Sequence, residues 1–499
     1  MRNSRLSALS LALAFLLTAC TLPRPPDKVV APTPVQWTTP LPHGGSLPVL
    51  ADWWRQLDDP LLVELVEAAQ TVSPNVASAA ARIAEARASR VAAGAALAPK
   101  LDGSLSASRS NSLTSGFGGT GATGAATGAG TGTGAASAEI PPITTIQAGL
   151  QASWEIDLFG GLRATRDASQ ARLRSADAKW HEARVSVAAE TANAYFGERA
   201  CRRQLAVAEN DTKSRSETSR LTDLSARAGF TAPADAALAR ASASDASARL
   251  TQQRAQCALL RQSLIALTGL EAAALQSRLD ATSADSALPT VHAIGSVPAE
   301  VLAQRPDVYA SELGVAAASA EAGSALAQRF PKLTLQGSIG RLQFRTSGFR
   351  DTVDTWSIGP VALSVPIFDG GALAANVDAA RARYDEAAAL YRGNVRQAVR
   401  EVEEALINLQ STDARAGDAD TAVQNYQASF DATQARYQSG LASLFELEDS
   451  RRTLFTAQTA RVSLQRERAE AWVGLYRSTG GGWTRPGADS ASAAPALAQ

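Results

Sequence analysis

Arg436-Tyr437-Gln438-Ser439-Gly440-Leu441 interrupts a stretch that otherwise reads as unbroken helix. Upstream, no proline occurs from Ala372 to Gln438, 67 residues that would span roughly 100 Å as one α-helix. Downstream, Phe445-Glu446-Leu447-Glu448-Asp449-Ser450-Arg451-Arg452 opens a shorter return arm ending at Thr479-Gly480-Gly481-Gly482. Gly440 supplies the left-handed residue that ends a helix, so the whole run Ala372 to Ser478 reads as an antiparallel helical hairpin. Globular helices average about three turns. An arm this long belongs to some other architecture.

Working outward, the chain repeats itself. Pro74-Asn75-Val76 and Ala98-Pro99-Lys100-Leu101 recur as Pro306-Asp307-Val308 and Phe330-Pro331-Lys332-Leu333, both offset by 232 (74 to 306, 99 to 331). Asp157-Leu158-Phe159-Gly160-Gly161 recurs as Pro366-Ile367-Phe368-Asp369-Gly370-Gly371, with the glycine pairs offset by 210. Gly229 pairs with Gly440 and Thr268-Gly269 with Thr479-Gly480, offset by 211. The order is conserved between the anchors, so the chain is read as a duplication. The fall in offset places an insertion of about 22 residues in the first copy, and Ser110 to Ala138 is a glycine/threonine/alanine tract there. It holds no Gly-Lys-Ser/Thr and is read as a long solvated loop.

Beside that loop the period changes to two. Ile146, Ala148, Leu150, Ala152, Trp154 and Ile156 alternate with Gln147, Gly149, Gln151, Ser153, Glu155 and Asp157. Leu101, Gly103, Leu105 and Ala107 alternate with Asp102, Ser104 and Ser106, and the second copy offers Leu333 to Ile339 and Trp356 to Ile367. In the last of these the parity switches at Gly359-Pro360, which is read as a bulge. Such segments are membrane β-strands or, in the alternative, half-buried soluble hairpins. Each repeat is therefore helix, strand, loop, strand, long helix, turn, return helix. The boundaries are 51–272 for the first repeat, 273–301 for a connector, 302–483 for the second repeat and 484–499 for a disordered tail. In the first copy, helices over Arg163–Arg227, Ala234–Leu267 and Pro74–Leu97 are expected, the two shorter ones together nearly matching the long one.

The N-terminus reads as an address. Arg2 and Arg5 precede an apolar run from Leu6 to Leu17, too short to span a bilayer, followed by Leu17-Thr18-Ala19-Cys20. This resembles a bacterial lipoprotein signal (1–19) with Cys20 as the lipidated mature terminus. The alternative is a plain signal peptide with an incidental cysteine. Residues 20–50 form a proline-rich tether, and Asp58-Asp59-Pro60-Leu61-Leu62 marks a helix start. Basic and acidic residues are equal at 48 each, which leaves no field for nucleic acid. His43, His181 and His292 are scattered, with no HExxH, CxxC or nucleophile elbow, so no enzyme, cofactor or metal site is expected. No later stretch has eighteen consecutive apolar residues, so any membrane crossing is by strands.

Four strands cannot close a membrane barrel, and an open edge in lipid is prohibitively costly. Barrels need at least about eight strands, so the strands must be shared; three copies would give twelve. The fold class is thus an α+β membrane protein, with four strands per chain joining a shared β-barrel that the long helical hairpins would continue as a tunnel.

At this point the chain resembles the outer-membrane efflux factor (TolC-like) family, in its OprM-type lipoprotein branch. The matching stretches are the Cys20 region, Asp58-Asp59-Pro60-Leu61, Ile156 to Gly160, Gln304-Arg305-Pro306-Asp307-Val308, Arg329-Phe330-Pro331, Pro366 to Gly371, Arg436 to Gly440 and Leu475 to Trp483. The Gly/Thr loop departs from the family pattern. The resemblance implies a homotrimer whose long helical hairpins form a periplasmic α-barrel and whose strands form a trimeric 12-stranded outer-membrane β-barrel, acting as a passive outer-membrane exit duct for drugs or other small toxic compounds. Its partners would be a periplasmic adaptor, an inner-membrane pump and outer-membrane lipids. The alternatives are a type I protein secretion conduit and, in another class, a lipid-anchored coiled-coil scaffold without a pore.

The resemblance also implies a periplasmic gate at Arg436, Tyr437, Phe445 and Asp449. Their first-copy equivalents are Ser225, Ala226, Ala234 and Leu238, so the charged and aromatic set occurs once. An aspartate ring near a three-fold axis would select cations, and an Arg436 pair could hold it closed; solvated helix charges are the plainer reading. The turns at Gly229-Phe230 and Gly440-Leu441 are structural caps to which the family adds adaptor docking. Cys201 and Cys257 fall at nearly equal distances from the first turn, within about 6 Å along the axis. In an oxidising periplasm they are either a disulfide or two buried thiols.

Overall fold

The computed structural model describes residues 22–34, 37–38, 59–110, 142–281, 302, 304–346 and 348–486. Cys20, much of the tether, nearly all of the Gly/Thr/Ala tract, most of the connector and the end of the tail lie outside the described residues. The elements are α1 (Pro60–Val72), α2 (Pro74–Ala95), β1 (Lys100–Ser110), β2 (Ile143–Ile156), α3 (Gly161–Arg227), α4 (Pro233–Thr268) and α5 (Ala272–Ala281). The second half follows as α6 (Pro306–Ala327), β3 (Lys332–Thr346), β4 (Phe349–Ser364), α7 (Ala372–Gln438) and α8 (Leu444–Ser478). Both long helices, α3 and α7, run for 67 residues.

The chain divides into two compact units. The first, Met1–Asp27, Arg87–Ala171 and Ala316–Asp385, holds one antiparallel sheet in the order β1-β2-β3-β4. Opposed residues share a face, and the registers Leu105↔Ala148, Leu150↔Ile339 and Ile339↔Trp356 put these apolar side chains together. The other face carries Ser108 and Thr145, whose hydroxyls lie 2.6 Å apart, and Ser338 and Ser357, 2.8 Å apart. Leu105, Trp356 and Ile358 are 78%, 75% and 87% exposed. Among the described residues no core covers this face, which speaks for membrane strands over a half-buried soluble hairpin.

The parity switch in β4 has a direct cause. Leu335 faces Val361 but Gly337 faces Ile358, so β4 takes up one extra residue at Gly359-Pro360. The bulge keeps Trp356 and Ile358 on the face of Val361 and Leu363. Gly359 has φ 109°, open to glycine alone at little cost.

Each second strand leads into a long helix through an aspartate cap. Asp157 accepts from the backbone N–H of Leu162 and Arg163 at 3.1 and 2.9 Å, and Asp369 from Gly371 and Leu373 at 2.9 and 2.7 Å. The recurring Asp/Gly-Gly motifs are therefore helix N-termini, where a carboxylate meets unpaired donors and the positive end of the dipole. Phe159 stacks on Phe330 with ring centroids 4.9 Å apart, and a side chain at Gly161 would press on Ala327.

The second unit, Lys28–Ala86, Arg172–Val315 and Glu386–Gln499, is helical. Asp59 caps α1 through Leu62 N–H at 3.3 Å and also accepts from the Tyr195 hydroxyl at 2.6 Å and Arg199 at 3.1 Å. Burial, and then the neighbouring Asp59, pushes the Tyr195 phenol up from its ordinary pKa. Leu62, Leu65, Tyr195, Leu264, Leu275 and Val473 form the main core, joining α1, α3, α4, α5 and α8. A second cluster, Val402, Leu406, Leu409, Trp472 and Leu475, fills the α7–α8 seam. Trp37 packs on that cluster, and the Ser319 hydroxyl in the first unit donates to the Pro25 carbonyl at 2.5 Å. The proline-rich tether thus meets helices at these two points, because an extended chain leaves its carbonyls open to such donors, while Val30 stays 88% exposed.

Candidate functional site at the hairpin tips

Both hairpins end in the same turn. Phe230 N–H donates to the Ser225 carbonyl and Gly229 N–H to Ala226; Leu441 N–H donates to Arg436 and Gly440 N–H to Tyr437. These paired bonds are Schellman motifs, and Gly229 and Gly440 carry the required positive φ, 81° and 77°. Phe230 and Leu441 stand beyond them, 86% and 71% exposed.

The return helices start differently. Ser443 and Glu446 form a capping box at α8, whereas Ala232 gives α4 no side-chain cap. The Ser443 backbone and hydroxyl hold the Glu446 carboxyl below its ordinary range. Because the folded value lies below the unfolded one, the box is complete above the unfolded pKa of about 4.3 and is lost as pH falls through the folded value. Amide exchange at Glu446 and Leu447 is expected to accelerate on acidification through that window. Unchanged protection would show that the cap does not hold the helix start.

The family-implied gate residues do not form one cluster within the chain. Arg436 donates to the Leu441 carbonyl at 3.1 Å, closing its own turn. Tyr437 packs with Phe430 on Ala239, Leu444 and Leu447, and its hydroxyl lies 3.3 Å from that of Thr222. Phe445 is 72% exposed, and four residues on, along the same face of α8, Asp449 pairs with Arg452 at 2.5 Å. Arg436 and Asp449 thus have separate partners.

Close by is a charge network that reading the sequence missed. Arg215 donates to Asp211 at 2.8 Å, to the Ser242 hydroxyl at 2.6 Å and to Glu448. Glu448 also accepts from Ser242 at 2.6 Å and from Arg451, which reaches the Thr218 hydroxyl at 3.1 Å. Asp211, Arg215 and Arg451 are buried. Burial lowers the Arg451 guanidinium from its ordinary pKa while Glu448 opposes it; an arginine stays charged all the same. The network links α3 and α4 to α8. The only signal in the sequence is the spacing of Asp211 with Arg215 and of Glu448 with Arg451, which is indistinguishable from solvated helix pairs.

Further along the first hairpin, Cys201 and Cys257 are joined by a disulfide, with Cα atoms 5.5 Å apart. The equivalent positions in the second hairpin, 211 residues on, are Thr412 and Arg468. There the arms are linked by the exposed pairs Arg468–Asp413, Arg415–Glu467 and Arg461–Asp420. Among the described residues there is no metal-ligating cluster, and no single helix is long and apolar enough to cross a membrane.

Comparison with known proteins agrees with this geometry. The family model described as "Outer membrane efflux protein" matches residues 65–270 and again 297–481. The pyoverdine export outer membrane protein OpmQ of Pseudomonas putida is 31% identical over 95% of this chain and 97% of its own. The toluene efflux pump outer membrane protein TtgI of Pseudomonas putida is 29% identical over 94% of this chain and 97% of its own. The solved outer-membrane channel OprN superposes with a TM-score of 0.75 at 26% identity, over 92% of this chain and 99% of that one. Long helical hairpins, four amphipathic strands and these matches lead to one assignment: the chain belongs to the outer membrane efflux protein family, as an outer-membrane efflux channel and not an enzyme.

Proposed function

We propose that three copies of this chain close a twelve-stranded barrel and act as the passive exit duct for drugs or other small toxic compounds. An inner-membrane pump and a periplasmic adaptor would deliver them. One observation carries this reading: the sheet is apolar on one face, polar on the other, and ends in two edges, β1 and β4. Unsatisfied edge groups in lipid are too costly to persist, so strands of neighbouring copies close the ring and the polar face lines the lumen. The outward run Ile146 to Ile156 on β2 is ten residue steps. At a tilt of roughly 40° these rise about 26 Å, the height of the apolar band of such barrels. The two family matches support reading the halves, 51–272 and 302–483, as a duplication. Cys20 is the proposed lipid anchor.

Relatives named for pyoverdine export and for toluene efflux differ in named cargo, which supports a duct whose selectivity is set upstream. A strain lacking this channel is expected to become more susceptible to small toxic compounds. If susceptibility is unchanged and a secreted protein is trapped instead, the type I secretion reading replaces this one.

The gate is placed on the second hairpin, with Arg436 and Tyr437 at its turn and Phe445 and Asp449 on the exposed face of α8. One contrast in cross-links supports this: both hairpins carry exposed ion pairs between their arms, worth about 0–1 kcal/mol each, but only the first adds a covalent bridge among the described residues. Asp449→Ala is expected to raise single-channel conductance and reduce cation preference. Unchanged conductance would remove Asp449 from the gate. The exposed apolar tips Phe230 and Leu441, beside Gly229 and Gly440, are the proposed adaptor-docking turns.

A further inference from the structure

The lipid-facing side of the sheet ends in arginine. Away from the helices, the outward apolar run stops at Ala107 on β1, Ile146 on β2, Ile339 on β3 and Trp356 on β4. The next outward positions are Arg109, Thr144, Arg341 and Asp354. The boundary is stepped, because Ile146 faces Gln343, four residues beyond Ile339. A step of about 13 Å along the strands over the three strand spacings from β1 to β4, about 14 Å, is close to what a flat interface makes on strands tilted by roughly 35–45°. The stepped line therefore marks a level height, the outer limit of the hydrocarbon.

Beyond it the outward face becomes cationic, at once on β1 with Arg109 and six residues further along on β3 and β4 with Arg345 and Arg350. Arg341 is matched by Asp354 at 2.7 Å. Arg345 stands directly opposite Arg350, and Thr144 lies between Arg109 and Arg345 in the same cross-strand row. With its amide turned to suit, Gln343 accepts from Arg350 at 2.9 and 3.1 Å, a neutral partner only. Among the described residues no carboxylate pairs with Arg109, Arg345 or Arg350. Like charges directly opposed across strands are destabilising unless an anion lies between them.

We infer that Arg109, Arg345 and Arg350 bind the phosphate groups of the anionic glycolipid of the outer leaflet. Guanidinium groups are weakly hydrated and take phosphate oxygens in paired, charge-assisted hydrogen bonds. Basic clusters at a membrane surface draw anionic headgroups in the same way. Arg109 stands two residues, and Arg345 and Arg350 six residues, beyond the apolar boundary on the headgroup side, and the uncompensated charge supplies the attraction. The inference rests on the sheet facing lipid, which channel conductance tests separately.

The test uses purified full-length protein in non-ionic detergent, offered phosphatidylcholine, diphosphoryl lipid A or inorganic phosphate, with retained species counted by native mass spectrometry. Lipid A is expected to be retained at a concentration about tenfold lower than phosphatidylcholine, and R109Q/R345Q/R350Q to abolish that difference. Arg396→Gln on α7 should leave it unchanged. Asp354→Asn, which releases Arg341, should increase lipid A retention. Equal retention of both lipids by the wild type, undiminished preference in the triple variant, or displacement of lipid A by equimolar inorganic phosphate would each overturn the inference. Should the triple variant not fold, Asp354→Asn decides alone: no increase overturns it.

Discussion

Glu448→Ala is expected to destabilise the pairing of α8 with α3 and α4 by about 3–5 kcal/mol, the usual cost of removing one partner from a buried ion network. Glu448 is the only carboxylate shared by Arg215 and Arg451 in the network. Its loss leaves Arg451, already buried and pulled below its ordinary pKa, with no carboxylate hydrogen bond and only the Thr218 hydroxyl and the face of the Phe430 ring, 5.6 Å away, as partners among the described residues. The loss should appear as faster amide exchange along the tip of α8 and as higher single-channel conductance. Glu448→Gln keeps the shape and some hydrogen bonds and should cost less. If exchange and conductance match the wild type, the network does not hold the second hairpin to the first.

Leu150→Arg places a charge near the middle of the outward apolar run on β2 and should cost about 2–4 kcal/mol per chain, as charges on the lipid face of barrels do. The expected readout is loss of the heat-resistant oligomer and of membrane-inserted protein. Gln151→Arg, one residue along and on the opposite face, should assemble normally and alter ion selectivity. This pair isolates direction from chemistry, since the same substitution is made at adjacent positions. Equal tolerance of both would mean that the exposed apolar face does not meet lipid.

Much of this fold was legible because it depends on periodicity and punctuation. The proline-free run to Gln438 and Gly440 placed α7 and its turn, since glycine alone takes the left-handed cap freely. Alternation placed the strands, and even the parity switch at Gly359-Pro360 was readable, because a bulge is the usual way one extra residue leaves the faces intact. Side-chain partnership was not legible. Asp211 and Arg215 look like an ordinary exposed pair until α4 and α8 are packed over them. Arg436 and Asp449 look like a pair until the structure gives each a nearer partner, the Leu441 carbonyl and Arg452. Cys201 and Cys257 shared a height, but which way each points around the helix depends on packing, and the structure joins them.

The most direct test of the central claim is planar-bilayer conductance of the purified protein, recorded alongside its oligomeric mass in the same preparation. Discrete conductance steps from a species three times the mass of the chain are expected, small in the wild type and larger in Asp449→Ala. A monomeric mass with no conductance would contradict the duct and leave an anchored helical scaffold in its place.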